Sequence, residues 1–221
     1  KVKSELNALQ AQINPHFLYN TLDIIVWMIE NGQREDAVRA VTALARFFRV
    51  SLSKGRNIIP VRDELEHVRN YLLIQEMRYK NKFRYVIDCQ PEAADLSTIK
   101  LVVQPIVENA IYHSMDFMDG DGLIEIRAGT QDGLLTITVS DNGLGMPPEV
   151  VEGLLSQEPR PETSRRESGR KGSGIGLRNV QERIRLYFGP DYGVSIQSEP
   201  DEGTVVTLRM PAVPYGEMED T

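Results

Sequence analysis

The sequence has only one cysteine in 221 residues, Cys89, so a disulfide within the chain is excluded. A lone cysteine is more often a small buried hydrophobe than a nucleophile, and we interpret Cys89 in that way. Such scarcity is typical of reducing compartments, so we expect a cytoplasmic setting. No run of about 18 apolar residues occurs, and we recognise neither a membrane span nor a signal peptide.

Positive charge is also sparse. Lys and Arg number 25 against 32 Asp and Glu, which gives a net charge of −7 and a pI of about 5.1. This balance argues against a protein that binds nucleic acid through its phosphates. Residues 1–56 carry eight basic and five acidic residues, a net charge of +3, which leaves −10 for the remainder. The slightly basic first segment suits an acidic protein partner.

Two apolar stripes open the chain. Residues 1–30 are predicted to form one helix, because apolar side chains recur every three or four positions. The turn pair Asn31-Gly32 follows, and a second helix is predicted from about Glu35. The stripes consist of Leu6, Leu9, Ile13, Phe17, Ile24 and Met28 in the first helix, and of Val38, Val41, Ala45, Phe48 and Leu52 in the second.

So short a turn makes the two helices antiparallel, and one such pair buries little apolar surface. We therefore expect a homodimer through residues 1–56, in which two hairpins form a four-helix bundle with Trp27 in its core. The chain opens on Lys1 without an evident helix cap, so we expect the first helix to arrive from an upstream region.

His16 lies in the middle of the first helix, directly after Pro15. It falls beside the apolar stripe, so its ring is predicted to face outward. A single histidine on a helix is usually an ordinary surface residue. Whether His16 has a chemical role depends on three segments further along the chain.

The remainder mixes helices and strands, which predicts an α+β domain over residues 57–213 and a tail at 214–221. A helix is predicted at 61–80, with His67 as a solvated residue. Another is predicted from a cap at Asp95 or Ser97 to about residue 113, with a bend or a late start at Pro105. Residues 147–171 are predicted to be polar and irregular, with a mobile loop at 157–171, and a last helix is predicted at 178–188.

Alternating apolar residues predict strands, largely as antiparallel neighbours. Asp132-Gly133 is a hairpin turn signal between two of them. The predicted strands cover 83–87, 123–128, 134–139, 194–197 and 204–210.

The first segment with chemical potential covers residues 105–113. Asn109 and His113 are four residues apart and share one helix face. An amide oxygen can bind Mg²⁺, and an imidazole can donate to a phosphate oxygen. Polar residues at this spacing are also common on any solvated helix face.

The second segment, residues 140–146, directly follows a strand. Asp141 can accept a hydrogen bond from the exocyclic amine of adenine, and Gly143 and Gly145 let the backbone pass close to the ring. The same residues also encode a simple Asx-type turn.

The third segment, residues 172–177, precedes a helix. Its glycines allow backbone N–H groups to converge on phosphates at the helix N-terminus. It follows a polar loop and not a strand, which excludes a Rossmann fingerprint, and no Walker lysine is present.

In this order and spacing, the segments resemble the sensor histidine kinases of two-component systems, of the LytS/YesM type. Residues 12–22 resemble the H box of that family, 105–113 its N box, and 141–146 and 172–177 its two glycine boxes. Residues 202–204 resemble its closing Gly-Thr turn. The similarity extends from about residue 5 to residue 211.

The resemblance implies a dimeric phosphotransfer hairpin followed by a Bergerat-type α/β sandwich that binds ATP, with a flexible lid at 147–172. It implies Asn109 as a Mg²⁺ ligand and His16 as phosphoacceptor. The implied ATP-binding residues are Asn109, His113, Asp141, Gly143, Gly145, Gly172, Gly174, Gly176, Leu177 and Thr204.

The resemblance also implies partners. The phosphoryl group would pass from His16 to an aspartate in the receiver domain of a response regulator. Family members usually sit behind a membrane-anchored sensor. We therefore expect the cytoplasmic portion of a membrane-anchored protein, whose sensor region lies upstream.

Several features depart from the wider histidine kinase pattern, among them that no separate phenylalanine-rich box is evident in the predicted lid. Many kinases carry an acid directly after the phosphoacceptor, where this chain has Phe17. A neutral imidazole can attack with its free nitrogen, so no base is needed to create the nucleophile. Asn20, one turn on, can orient the ring or contact the transferring phosphate, and Glu108 can approach when the domains close. Tyr112 stands where a lysine is common.

Two alternatives follow from these departures and from the shared fold. One is a degenerate kinase that acts as a dimeric nucleotide-binding scaffold. The other is an ATPase of the same superfamily that forms no phosphohistidine. Such ATPases usually place the ATP-binding domain first, whereas here it follows the hairpin that bears His16.

Overall fold

Two antiparallel helices form the first described part of the molecule. The computed structural model describes residues 15–52, 56–80, 82–114, 118–155 and 173–218. Helix α1 (Pro15–Glu30) and helix α2 (Arg34–Ser51) are joined by a turn in which Gly32 has a φ of +73°. Glycine adopts this conformation without steric cost, and the predicted turn is confirmed. The predicted stripe positions Leu6, Leu9 and Ile13 lie outside the described residues.

Helices and strands then alternate along the chain. They are β1 (Ile58–Pro60), α3 (Val61–Arg78), β2 (Phe83–Cys89), α4 (Pro91–Ala94), β3 (Ser97–Ile99), α5 (Gln104–Ser114), β4 (Gly122–Gln131), β5 (Leu134–Asp141), α6 (Pro148–Leu155), α7 (Ser173–Phe188), β6 (Gly193–Glu199) and β7 (Gly203–Pro211). The predicted α+β class is confirmed.

Strands β2, β4, β5, β7 and β6 form one sheet in that spatial order. The pair β2 and β4 is parallel, and the other neighbours are antiparallel. Burial alternates along β4 and β5, so one face of the sheet is covered and the other meets solvent. Helices α3, α5 and α7 contact the sheet and one another, and together they form the covering layer. The result is a two-layer α/β sandwich.

The hairpin between β4 and β5 turns at Asp132 and Gly133, whose φ angles are +53° and +76°. Positive φ at both central residues defines a type I′ turn, which matches the twist of the flanking strands. The predicted hairpin is therefore confirmed.

Helix α2 has two apolar faces. One face packs against α1 and α3, and it consists of Ala37, Ala40, Ala43, Leu44, Phe47 and Ser51. The predicted stripe lies one residue further along the helix, about 100° round its axis, where Val38, Val41 and Leu52 are exposed within the chain. Small alanine side chains permit close helix packing, so the buried face is not the one with the largest apolar residues.

Helix α3 is shared between the hairpin and the sandwich, since it contacts α2 as well as α5 and β2. Leu65, Val68, Leu72 and Gln75 are buried, as their spacing predicts. His67 is also buried, with 0% of its surface exposed, so its prediction as a solvated residue is wrong. A helix covered on two sides buries positions that lie outside a single stripe.

Residues 95–103 contain a short strand and turns and no helix, so the predicted helix cap at Asp95 or Ser97 is wrong. Ser97–Ile99 pairs antiparallel with Ile58–Pro60. Helix α5 starts only at Gln104, so the late start that Pro105 predicted is confirmed. Proline suits the first turn of a helix because its missing N–H is not needed there.

A glutamate from α3 takes the place of a local cap. The buried carboxylate of Glu64 accepts the N–H groups of Leu101, Val102 and Val103 at 2.9, 2.9 and 3.0 Å. Charge-assisted bonds of this kind satisfy N–H groups that have no partner within the helix. The start of α5 is therefore set by a residue 40 positions earlier than the helix itself.

The predicted irregular region at 147–171 begins instead with a helix, α6, which buries Leu154. Residues 156–172 lie outside the described part of the chain. The C-terminal segment also has structure: the N–H of Ser97 donates to the carbonyl of Val213 at 2.7 Å, and the N–H of Tyr215 donates to the carbonyl of Asp95 at 2.9 Å. Within the described ranges, no helix combines the length and apolar character that a membrane crossing needs.

Candidate active site

The loop after β5 is held in a fixed shape by its first residue. Asp141 ends the strand, and its Oδ1 accepts the N–H of Gly143 at 2.9 Å. The Asx-type turn that the sequence allowed is therefore present. The turn aims the loop across the end of β7, since Asp141 pairs with Thr204 in the strand register.

Gly145 lets this loop lie against the turn between β6 and β7. Its φ is +65°, and a Cβ atom there would collide with the carbonyl oxygen of Glu199. The neighbouring Leu144 accepts the N–H of Asp201 at 2.7 Å, and the N–H of Met146 donates to Ser198 Oγ at 2.8 Å. Glycine is required because both the conformation and the close approach exclude a side chain.

Thr204 joins the same structure from the other side. Its hydroxyl lies 2.8 Å from Ser198 Oγ, which also lies 2.9 Å from the carbonyl oxygen of Gly203. A Cβ at Gly203 would collide with the carbonyl oxygen of Asp141. The structure therefore brings together Asp141, Gly145 and Thr204, which sequence reasoning placed in one site.

Sequence reasoning missed two residues that hold this loop in place. Asn142 accepts the N–H of Leu123 at 2.7 Å through Oδ1 and donates to the carbonyl of Asp121 at 2.9 Å. Ser198 bonds on both sides of the β6–β7 turn. Asn142 lies inside the segment at 140–146, so the sequence could have identified it. Ser198 comes close to the loop only when β6 pairs with β7, which no local pattern shows.

Helix α5 lies beside this loop, in contact with β5 and α7. Asn109 is half-buried, and Tyr112 is exposed. Glu108 accepts a hydrogen bond from Gln104 Nε2 at 2.9 Å, and burial raises the pKa of its carboxyl group. The side chain of His113 lies outside the described residues.

The start of α7 meets the start of α5. A Cβ built on Gly176 would lie 3.7 Å from Pro105, and Leu177 is buried between the helices and the sheet. Gly174 is the second residue of α7. Gly172 lies outside the described residues.

His16 is on the hairpin, apart from these loops, and its side chain is exposed as predicted. Its neighbour Phe17 is only 4% exposed. Asn20, one turn on, lines a groove of about 860 Å³ between α1, α2 and the end of α3. Trp27, predicted in the bundle core, lines the same groove, with the Lys80 ammonium group 6.0 Å from its ring centre.

The donor set around the β5 loop suits a nucleotide with a divalent cation. Asp141 offers a carboxylate at a strand end, beside backbone that glycine leaves open. Asn109 offers an amide oxygen of the kind that Mg²⁺ accepts, and the start of α7 meets the start of α5, the helix that carries Asn109. Adenine, Mg²⁺ and phosphates would be held by these three groups in turn.

Comparison with known families matches both parts of the chain. Residues 4–83 match the family described as histidine kinase. Residues 94–214, more than half of the chain, match the family described as histidine kinase-, DNA gyrase B-, and HSP90-like ATPase.

Two curated relatives align with nearly the whole chain. Sensor histidine kinase YesM of Bacillus subtilis (strain 168) is 36% identical over 209 residues, which cover 95% of this chain and 33% of YesM. Sensor histidine kinase BtsS of Escherichia coli (strain K12) is 34% identical over 209 residues, covering 95% of this chain and 34% of BtsS. The chain therefore spans about a third of the length of the curated relatives that it matches.

A solved structure has the same arrangement of elements. The histidine kinase domain of a blue-light-activated histidine kinase from Erythrobacter litoralis superposes with a TM-score of 0.51 at 17% sequence identity. The match covers 94% of this chain and 93% of that domain. At this identity the similarity concerns the fold alone.

Proposed function

This chain belongs to the family of histidine kinase-, DNA gyrase B- and HSP90-like ATPases, and on that premise we propose that it transfers the γ-phosphoryl group of ATP to His16. The observation that carries the proposal is a contrast between neighbours. His16 is exposed on α1, while Phe17 is buried beneath it. An accessible imidazole on a firmly packed helix is what a phosphoacceptor needs.

We assign one function to each of the predicted domains. Residues 1–56 form the dimerisation and phosphotransfer hairpin, residues 57–213 bind ATP, and residues 214–221 form the tail. Helix α3 joins the first two, since it packs on both.

The proposed ATP site lies beside α5 and the start of α7. Asp141 accepts a hydrogen bond from the adenine amine, and Gly143 and Gly145 leave room for the ring. Asn109 would hold Mg²⁺, which would supply charge neutralisation for the transferring group when bound. Gly174 and Gly176, at the start of α7, present backbone N–H groups to the phosphates, and Thr204 and Leu177 complete the described part of the site; Gly172 and the side chain of His113, which the resemblance adds, lie outside the described residues.

His16 attacks with an unprotonated ring nitrogen, so no general base is required to create the nucleophile. Phe17 cannot accept a proton. Asn20 lies on the next turn of the same helix face and is suited to hold the ring or the incoming phosphate. The protein contributes mainly orientation and charge neutralisation, which dominate phosphoryl transfer.

The hairpin carries a surface for a second copy of the chain. Four large apolar residues of α1 are exposed at intervals of three and four: Tyr19, Leu22, Val26 and Ile29. Val38, Val41 and Leu52 extend the surface on α2. Such a continuous stripe on one hairpin matches its counterpart in a four-helix bundle, which supports a homodimer.

The phosphoryl group then passes from His16 to an aspartate of a response-regulator receiver domain. The upstream region of the longer protein supplies a membrane-anchored sensor, with this chain on the cytoplasmic side. The high sequence coverage by sensor histidine kinases supports both proposals.

The deciding experiment incubates the chain with Mg²⁺ and γ-labelled ATP, beside His16→Ala and an Arg84→Ala control from the exposed sheet face. The expected label survives alkali, is lost in acid, is absent from His16→Ala and is kept in the control. Binding of a fluorescent ATP analogue confirms that His16→Ala still holds nucleotide.

Other outcomes separate the alternatives. ATP binding without label in the wild-type chain supports the scaffold and contradicts the proposal. Phosphate release without label on the protein supports an ATPase. Label that persists in His16→Ala places the acceptor elsewhere.

A further inference from the structure

Four aromatic rings from three helices meet directly behind His16. Phe17 of α1 lies 5.0 Å from Phe47 of α2 and 4.9 Å from Tyr71 of α3, measured between ring centres. His67 of α3 stacks on Phe47 at 4.2 Å. Aromatic pairs at such distances add specific geometry to the burial of apolar area. The residue next to the phosphoacceptor is thus a core residue of the hairpin–α3 interface.

Burial of Phe17 fixes the direction of His16. Successive residues of a helix point about 100° apart, so a side chain locked inward determines where its neighbour points. Thr21, buried one turn on, donates its hydroxyl to the carbonyl of Phe17 at 2.6 Å and ties the same turn together. The imidazole cannot rotate around the helix axis unless the Phe17 ring leaves its site.

Helix α3, which carries Tyr71, also contacts α5 of the ATP-binding part. The Tyr71 hydroxyl accepts a hydrogen bond from Gln75 Nε2 at 2.8 Å. Burial raises the pKa of Tyr71 above its usual range, and the negative charge of Glu108 contributes to the increase. Glu108 precedes Asn109 on α5. Tyr71 therefore contacts the residue after the phosphoacceptor from a helix that also packs against α5, the helix of the proposed Mg²⁺ ligand.

We propose that Tyr71 is a positioning residue for phosphoryl transfer, whose ring holds Phe17 and so sets the direction of the His16 imidazole relative to the ATP-binding domain. The inference rests on the proposed function. The ring performs this role, since the ring makes the contact with Phe17. The hydroxyl, bonded within α3 to Gln75, contributes to stability alone.

The test compares Tyr71→Leu, which removes the ring, with Tyr71→Phe, which removes only the hydroxyl. At saturating Mg²⁺ and ATP, Tyr71→Leu is expected to lower the autophosphorylation rate constant by about tenfold or more, because small misplacements of reacting groups are costly. Tyr71→Phe should stay within about twofold of wild type on the same argument. The Kd for ATP should be unchanged in both variants.

A matched control separates positioning from loss of stability. Tyr192→Leu also removes a tyrosine ring that pairs with an aromatic, Phe188 at 6.4 Å, but at the far end of α7. It is expected to lower the melting temperature and keep the rate constant. If Tyr71→Leu fails to fold, Phe17→Leu tests the contact from its other side, with the same loss expected.

Three outcomes overturn the inference. One is a wild-type rate constant in folded Tyr71→Leu or Phe17→Leu. Another is a loss that is matched by weaker ATP binding, which indicates general distortion of the domain. The third is equal loss in Tyr71→Phe. Absence of His16 labelling in the wild-type chain is distinct from all three, because it removes the proposed function and the inference with it.

Discussion

Ser51 Oγ and His67 Nε2 lie 2.9 Å apart in the interior and join the end of α2 to α3. The Ser51 hydroxyl also lies 3.1 Å from the carbonyl of Phe47 and can donate its single hydrogen there. His67 Nε2 then carries the proton, and Nδ1 keeps a bare lone pair. Nδ1 is buried without a hydrogen-bond partner among the described residues. The imidazole is therefore held neutral.

This neutral histidine predicts a pH dependence of stability. Burial, reinforced by the positive charge of Lys100, lowers the pKa of His67 to about 4. The unfolded chain binds this proton near pH 6.5, so between about pH 6.5 and 4 it holds more protons than the folded chain. Stability is then fully present above pH 6.5 and falls as the pH decreases to 4. The total loss is about 3 kcal/mol, at about 1.4 kcal/mol per tenfold change in proton affinity.

Urea unfolding between pH 4.5 and 7.5 measures this loss in wild type and in His67→Leu. Burial raises the pKa values of Glu64 and Glu108, which gives an opposite slope in both proteins, so the difference curve isolates His67. We expect the free energy of unfolding of His67→Leu, minus that of wild type, to increase as the pH falls from 6.5 to 4.5. Tyr192→Leu should follow the wild-type slope, and parallel curves for wild type and His67→Leu would contradict the assignment.

Glu64→Gln is expected to destabilise the fold by about 3 kcal/mol. The amide replaces one of the two carboxylate oxygens that accept the N–H groups at 101–103, and it removes the negative charge that faces Arg183. Glu66→Gln, on the exposed side of the same helix, is the control and should change stability by less than about 0.5 kcal/mol. Thermal and urea unfolding measure both. Equal effects of the two substitutions would contradict the role of Glu64 as acceptor of these N–H groups.

Gly145→Ala is expected to weaken ATP binding at least about tenfold, or about 1.4 kcal/mol, because the new Cβ must displace the Glu199 carbonyl and reshape the loop after Asp141. Gly133→Ala is the control. It also has positive φ, but its Cβ would meet nothing within 4 Å, so only about 1 kcal/mol of stability is lost. Fluorescent-nucleotide titration distinguishes them. Unchanged affinity in Gly145→Ala would show that the loop does not contact ATP.

Val26→Glu is expected to convert a dimer to a monomer. Val26 is 53% exposed in the middle of the apolar stripe on α1, and a carboxylate facing its copy in a bundle would be desolvated and repelled. Val86→Glu, at an equally exposed valine of the sheet, should leave the dimer intact. Sedimentation velocity at several concentrations gives the masses. A wild-type monomer, or a dimer that survives Val26→Glu, contradicts the proposed surface.

The strands and glycine turns could be predicted from sequence because their signals are local. Alternation in β5 and the pair Asp132-Gly133 identify a hairpin within ten residues, and the Asp141 segment keeps its turn by its own hydrogen bond. The roles of Asp141, Asn109 and His16 in binding and transfer remain predictions.

The errors concern residues whose environment comes from distant chain. His67 reads as polar on a helix surface, yet α2 covers it with Phe47 and Ser51. The segment at 95–103 has capping residues of its own, yet β1 pairs with it and Glu64 takes its N–H groups. Neither partner is visible in a local pattern, because both depend on how α3 lies between the hairpin and the sheet.

The shared position of α3 matters for engineered hybrids. Replacing the hairpin alone would remove Phe17 and Phe47, and would put foreign residues opposite His67 and Tyr71. An exchange made upstream of residue 15 leaves that interface whole. Input modules are therefore best swapped at the head of α1, with the hairpin and the ATP-binding domain carried over as a single cassette.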